Sequence, residues 1–121
     1  MIRIDIKPLS VNEAWKGKRY KTAKYMQYQN ALLWLLPKVQ IPQPPYEIHL
    51  KFGFSNSLAD WDNPVKPTQD ILSKKYGFND KLIRKAIVDT EIVKKGREYF
   101  EFEIVTISKS KYVDKRSFSE L

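Results

Sequence analysis

Tyr-Glu-Ile-His-Leu-Lys-Phe-Gly-Phe, residues 46–54, is the most regular strand pattern in the chain. Apolar and polar side chains alternate along it, so one face is expected to pack on the core while Glu47, His49 and Lys51 point outward. His49 is the only histidine, and the sequence has no Gly-x-Ser-x-Gly motif to supply a nucleophilic serine. The pattern therefore predicts a structural strand and gives no indication of a catalytic triad.

Two helices and three further strands are predicted on either side of this strand. Thr22 is a good N-cap and Pro37 a stop for the first helix, and Gly77 ends the second. A Lys-Lys-Gly turn at 94–96 predicts that the last two strands form an antiparallel hairpin. The order β-α-β-α-β-β predicts an α+β fold, a small mixed four-stranded sheet with helices packed over one face. The predicted strands are 2–7, 46–54, 86–93 and 97–107, and the predicted helices are 23–36 and 64–76.

The composition is that of one globular domain with a strong positive charge. The chain has 121 residues, of which 42% are apolar and 13% aromatic, enough to bury a core without disulfides. The lack of cysteine excludes thiolate nucleophiles and cysteine-ligated zinc. A formal net charge of +8 favours a polyanionic partner such as nucleic acid. Residues 1–107 are predicted to form the domain, and the polar residues 108–121 a loosely ordered tail.

Neither a signal peptide nor a membrane span is predicted. Residues 1–7 alternate apolar and charged side chains, unlike a signal peptide. The longest apolar run, 31–36, is far too short to cross a bilayer. We therefore expect a cytoplasmic protein with no membrane partner.

Two aspartates, Asp60 and Asp62, precede the second helix. Asn63 followed by Pro64 is a typical N-cap and first-turn pair, which would leave both carboxylates free of capping. In an extended segment the two would point the same way, with Trp61 packed inward between them. The pair is therefore a candidate for shared chemistry.

Lys66 and Asp80 extend this pair into a larger group. A lysine in the first turn of a helix opposes the helix dipole and costs a few tenths to about 1 kcal/mol, so Lys66 is a functional candidate. Asp70 follows at the i+4 position, and Asp80 comes just after the helix. Three neighbouring carboxylates repel one another, and a hard divalent cation, Mg²⁺ or Mn²⁺, relieves the repulsion. The alternative is that Asp80 has no role in a metal site and only caps a short turn.

A basic segment with two aromatic residues precedes the first helix. Its cations are expected to contact DNA phosphates without reading bases, while Trp15 and Tyr20 either stack on a base or pack under the loop. Residues 9–20, which contain this segment, are predicted to form a loop. The candidate DNA-binding residues are Lys16, Lys18, Arg19 and Lys21.

Four segments of the chain match one known pattern: Ser10-Val11-Asn12-x-x-Trp15, Asp60-x-Asp62-Asn63-x-x-Lys66, Asp70 and Asn79-Asp80. With these segments, most of residues 2–107 resembles the RusA-type Holliday-junction resolvases, small endonucleases of bacteria and their prophages. The resemblance implies a small mixed sheet with flanking helices, a homodimer, and Mg²⁺-dependent paired nicks in four-way DNA junctions during recombination and repair. Where members of the family often have two adjacent acids, this chain has Asn79-Asp80, with only one acid.

The resemblance also assigns roles to residues. It implies an acidic triad of Asp60, Asp62 and Asp80 that binds magnesium, and an essential lysine, Lys66. The residues that would support these groups are Asn63, Asp70 and Asn79.

Two other functions are compatible with parts of the sequence. The first is a basic nucleic-acid-binding module without nuclease activity, in which the acids only cap helices and solubilise the chain. The second is a nuclease of the restriction type, which needs an Asp/Glu-x-Lys step on a strand after an earlier acid. Asp5-Ile6-Lys7 is the only such step in a predicted strand and precedes every other acid, which disfavours this second function.

Overall fold

The computed structural model describes residues 1–16 and 20–111 and confirms an α+β fold with a mixed four-stranded sheet. The predicted order of helices and strands is recovered, with short additional elements before the first long helix, after the second long helix and after the last strand. The strands are β1 (Ile2–Ile4), β2 (Trp15–Lys16), β3 (Tyr20–Lys21), β4 (Tyr46–Phe54), β5 (Ile83–Ile92) and β6 (Tyr99–Thr106). The helices are α1 (Val11–Ala14), α2 (Ala23–Leu35) and α3 (Val65–Tyr76), with 3₁₀ turns at Asp80–Leu82 and Ile107–Lys109.

The four-stranded sheet has the strand order β1-β6-β4-β5. Strand β4 pairs in parallel with β5 and antiparallel with β6. The predicted hairpin between the last two strands is therefore wrong, because β4 lies between them. The chain passes over the end of β4, where Val93 N–H donates to the Phe54 carbonyl at 2.7 Å. The parallel pairing of β4 with β5 is possible because α3 carries the chain back between them.

The core lies between the sheet and the two long helices. From β4, Ile48, Leu50 and Phe52 are almost completely buried, and Leu32 of α2 and Ile71 of α3 pack in the same cluster. A side chain of this size stabilises the fold by about 1.5–3 kcal/mol when fully buried. The predicted inward face of β4 is thus confirmed.

The opposite face of β4 carries polar side chains that pair across strands. Glu47 is buried, and its carboxylate is 3.3 Å from Lys85 Nζ on β5. His49 Nε2 lies 2.6 Å from the Asp89 carboxylate, which is also on β5. These contacts give Glu47 and His49 a role in holding β4 to β5.

The described residues before α2 have more secondary structure than the predicted loop. Strands β2 and β3 pair antiparallel, with Trp15 opposite Lys21. Thr22 caps α2 as predicted, because its side chain accepts a hydrogen bond from Tyr25 N–H at 3.1 Å. The sequence pattern missed this hairpin because each strand is only two residues long.

None of the helices in the described part of the chain is long and apolar enough to cross a membrane.

Candidate functional site

The chain between β4 and α3 is a turn and not an extended segment. Asn63 N–H donates to the Asp60 carbonyl at 3.3 Å, and Val65 N–H to the Asp62 carbonyl at 3.0 Å. The N-cap is Pro64, which makes no side-chain cap bond, so the predicted cap at Asn63 is wrong. Asn63 is instead held by its backbone, because its carbonyl accepts from Val11 N–H at 2.7 Å.

The turn places Asp60 and Asp62 in two different surface pockets. Asp60 lines a cavity of about 230 Å³ with Ser10, Glu13 and Glu98, which we call the Asp60 cavity. Asp62 lines a separate, open groove of about 530 Å³. The residues of this α3–β5 groove are Trp61, Asp62, Val65, Lys66, Ala86 and Val88.

Trp61 is exposed. Its relative accessibility is 59%, so the prediction that it packs inward is wrong. The reason is the turn, since alternation of inward and outward side chains applies only to extended chain. Pro64, three residues later, takes the buried position instead.

Lys66 lies in the first turn of α3, as predicted. Its Nζ is 2.9 Å from the Asp70 carboxylate, one helical turn along. Exposed ion pairs at this spacing contribute about 0.3–0.5 kcal/mol, which offsets part of the cost of a cation near the helix N-terminus. Asp70 therefore holds the lysine along the helix, at the rim of the α3–β5 groove.

Asp80 is not used as a helix cap. Asn79 takes that role, because its side chain accepts from Lys81 N–H at 3.0 Å. The Asp80 carboxylate lies 3.4 Å from Gln69 Nε2. Gln69 is three residues after Lys66 and therefore a neighbour of it on the helix surface. Asp80 consequently lies against the same helix, one turn further along.

A divalent metal would find suitable ligand atoms here but not a gathered set. Carboxylate oxygens are the ligands that Mg²⁺ prefers. Within residues 1–16 and 20–111, however, no group of three or more His, Cys, Asp or Glu side chains is close enough to hold a metal ion. The three acids of the predicted triad thus lie around the start of α3 and the turn after it without meeting at one point.

The predicted DNA-binding cations are described only in part. Lys18, Arg19 and the side chain of Lys16 lie outside the described residues. Lys21 is exposed, and its Nζ lies 4.7 Å from the centroid of the Tyr25 ring. Its contribution to a positive surface beside α2 remains compatible with the prediction.

Sequence reasoning missed Gln69, Ala86 and Val88 as neighbours of the candidate acids. Ala86 and Val88 are two residues apart on β5 and so face the same side of the sheet. Their place beside α3 follows from the parallel pairing of β4 and β5, which the hairpin prediction did not allow. Gln69 could have been found from its spacing to Lys66.

No protein-family model matches the chain, and no curated protein matches it at a significant level. The resemblance to the RusA-type resolvases accordingly remains a prediction that rests on the residues themselves.

Proposed function

We propose that the protein is a metal-dependent endodeoxyribonuclease of the RusA type, which resolves four-way DNA junctions by paired symmetric nicks. The observation that carries the proposal is the arrangement along α3. Asp62 and Lys66 share the α3–β5 groove, and Asp80 contacts Gln69 one helical turn further along. If a chain of net charge +8 binds DNA, carboxylates at the binding surface repel the phosphates, so acids there are expected to have a task.

Mg²⁺ is the proposed cofactor, with Mn²⁺ as a substitute. The proposed ligands are Asp60, Asp62 and Asp80, of which the ion needs only some, since Mg²⁺ is commonly held by one or two carboxylates together with substrate phosphates and water. In phosphodiester hydrolysis a bound divalent ion supplies an activated water and stabilises the leaving oxygen.

Lys66 is the proposed partner of the reacting phosphate. Its ammonium is exposed at the groove and is oriented by Asp70. A fixed positive charge at this place would stabilise the negative charge that develops on the phosphate, and removing such a group typically costs about 100- to 1,000-fold in rate. Asn63 and Asn79 support the site through the backbone turn and the helix cap that they form.

The test uses a synthetic four-way junction with and without Mg²⁺. We expect Asp62→Asn to abolish nicking while junction binding in a chelator persists, and Lys66→Ala to do the same without loss of folding. Asp5→Asn is the matched control, because Asp5 is an exposed acid beyond the end of β1, paired only with Arg3 among the described side chains. Junction binding by the wild type with no metal-dependent nicking would show that the proposal is wrong.

The remaining candidate is a basic nucleic-acid-binding module without nuclease activity. The observation that favours it is that Asp60 and Asp62 line two different pockets. It differs from the proposed nuclease in one measurable respect: the wild type would then bind the junction in Mg²⁺ without cutting it.

The proposed partners are branched double-stranded DNA and a second copy of the chain, and the proposed location is the cytoplasm. A homodimer suits a four-way junction, because a two-fold axis places two equal sites on two symmetric strands.

A further inference from the structure

We infer that the α3–β5 groove binds an unstacked base of a DNA strand, with the indole of Trp61 as its stacking surface. The inference rests on the proposed function, because it names what the same groove holds beside the reacting phosphate. It adds a substrate feature, an unpaired nucleotide, to the proposed activity.

The first observation is the position of Trp61. The residue is 59% exposed in a turn that is anchored just after it, by the hydrogen bond from Val11 N–H to the Asn63 carbonyl and by the fully buried Pro64. An indole packed into the core would be stabilised by its burial, and this one is not. The large flat ring of Trp61 is therefore exposed to solvent, and these contacts fix the position of the backbone that carries it.

The second observation is the chemistry of the groove. Val65 of α3 and Ala86 and Val88 of the edge strand β5 give it apolar walls, and its volume is about 530 Å³. A nucleobase has two apolar faces and a polar edge, so it can stack on the ring of Trp61 while its faces contact these side chains. Stacking of this kind is tolerant of sequence, because every base has a π-face.

The third observation is the charge at the rim. Lys66 can neutralise the phosphate attached to the base, and the Asp62 carboxylate can accept a hydrogen bond from a base amino group. A second protein chain seated in the groove would have to desolvate both charged groups, which is costly without matched partners. The rim therefore favours a nucleotide over a protein surface.

The experiment measures quenching of 2-aminopurine in a single-stranded oligonucleotide, in a chelator so that nothing is cut. We expect wild-type protein to quench the probe, because a stacked 2-aminopurine loses its fluorescence. Trp61→Ala should abolish quenching and weaken single-strand affinity by roughly ten-fold or more, with little change on a fully paired duplex. Trp61→Phe should keep most of both. Trp34→Ala is the matched control, since Trp34 is 88% exposed on α2 and does not line the groove.

The results separate this inference from the proposed function. Trp61-dependent quenching by a protein that never nicks a junction would support the inference and reject the nuclease. Nicking by the wild type, with quenching and single-strand affinity unchanged in Trp61→Ala, would reject the inference and keep the nuclease. The inference is also wrong if the wild type does not quench the probe, if duplex and single-strand affinity fall equally, or if Trp61→Ala changes only the mass of the protein in solution.

Discussion

The ring of Tyr99 lies where a side chain at Gly53 would have to be. These two residues face each other across β4 and β6, and a methyl group at Gly53 would overlap the ring. Tyr99 cannot move away easily, since it is buried, its hydroxyl donates to Glu91, and the Arg3 guanidinium lies 3.9 Å from its centroid. The small residue near the end of β4 is explained by this contact, which alternation alone did not predict.

Gly53→Ala is expected to lower the free energy of unfolding by about 1–3 kcal/mol, the usual cost of overpacking. Denaturant unfolding at neutral pH measures this loss. In a Tyr99→Ala background the same substitution should cost much less, because the clashing ring is gone. An equal cost in both backgrounds would contradict the proposed clash.

Glu98, at the wall of the Asp60 cavity, has a pKa below its ordinary value of 4.5. The main cause is a hydrogen bond from its own backbone N–H, followed by one from the Ser55 hydroxyl at 2.8 Å. A carboxylate with a lowered pKa stabilises the fold above its ordinary value, and that stability is lost as the pH falls through the lowered value.

We therefore expect Glu98→Gln to be less stable than the wild type at pH 7 and equally stable near pH 2, as measured by unfolding across this range. Ser55→Ala should give a smaller version of the same pH dependence, because it removes one of the hydrogen bonds. A stability difference that does not change with pH would contradict the assigned cause.

The two asparagines near the candidate site show what residue type can and cannot predict. Asn63 and Asn79 are both good caps by type, but only Asn79 uses its side chain as one. Asn63 differs because its carbonyl is bonded to Val11, which is 52 positions away in the chain. Such a contact is invisible in a local pattern, and this is why the geometry of the acids around Asp60 was not predictable.

Helix α3 ends at Gly77, which has a positive φ of 70° as predicted from its place after the last apolar residue. Gly77→Ala is expected to destabilise the protein by about 1 kcal/mol, from backbone strain, since no atom of the described residues other than its two chain neighbours lies within 4 Å of the added methyl group. Gly77→Asn should cost less, because asparagine tolerates this conformation. Thermal unfolding distinguishes them, and equal losses would indicate a cause other than backbone conformation.

Strand pairing was the least predictable feature of the elements. The prediction of the last two strands was correct. A glycine turn between two strands, however, does not establish that they pair with each other. Here β4 offers apolar side chains and both of its edges to the sheet, so β5 and β6 each pair with it. The parallel pairing places Ala86 and Val88 beside α3 and so creates the groove that holds Asp62 and Lys66.

At the scale of the whole molecule, the fold class was predictable from the order of the elements. Periodicity located both long helices and the strands of the sheet, because these elements have a strong pattern, and Thr22 and Gly77 were correctly predicted as a helix start and a helix end. The net charge of +8 favours a polyanionic partner, which stays a prediction. The position of the acids relative to one another depends on long-range packing, and it therefore required the structure.

The proposed homodimer is tested by the mass in solution. We expect a mass near twice 14.3 kDa at micromolar concentration, since paired nicks require two sites. Light scattering with and without a junction measures it. A monomer in both conditions would count against the dimer. A monomer that becomes a dimer only with the junction would show that dimerisation depends on DNA.

The most direct measurement of the central claim is the pattern of cuts in a four-way junction labelled on each strand in turn. In the presence of Mg²⁺ we expect nicks in two opposite strands at symmetric positions, which yield two linear duplexes. A linear duplex of the same sequence should stay intact under the same conditions. Nicking should stop in a chelator and in Asp62→Asn. An intact junction in Mg²⁺ and in Mn²⁺, bound by folded protein, would contradict the proposed function.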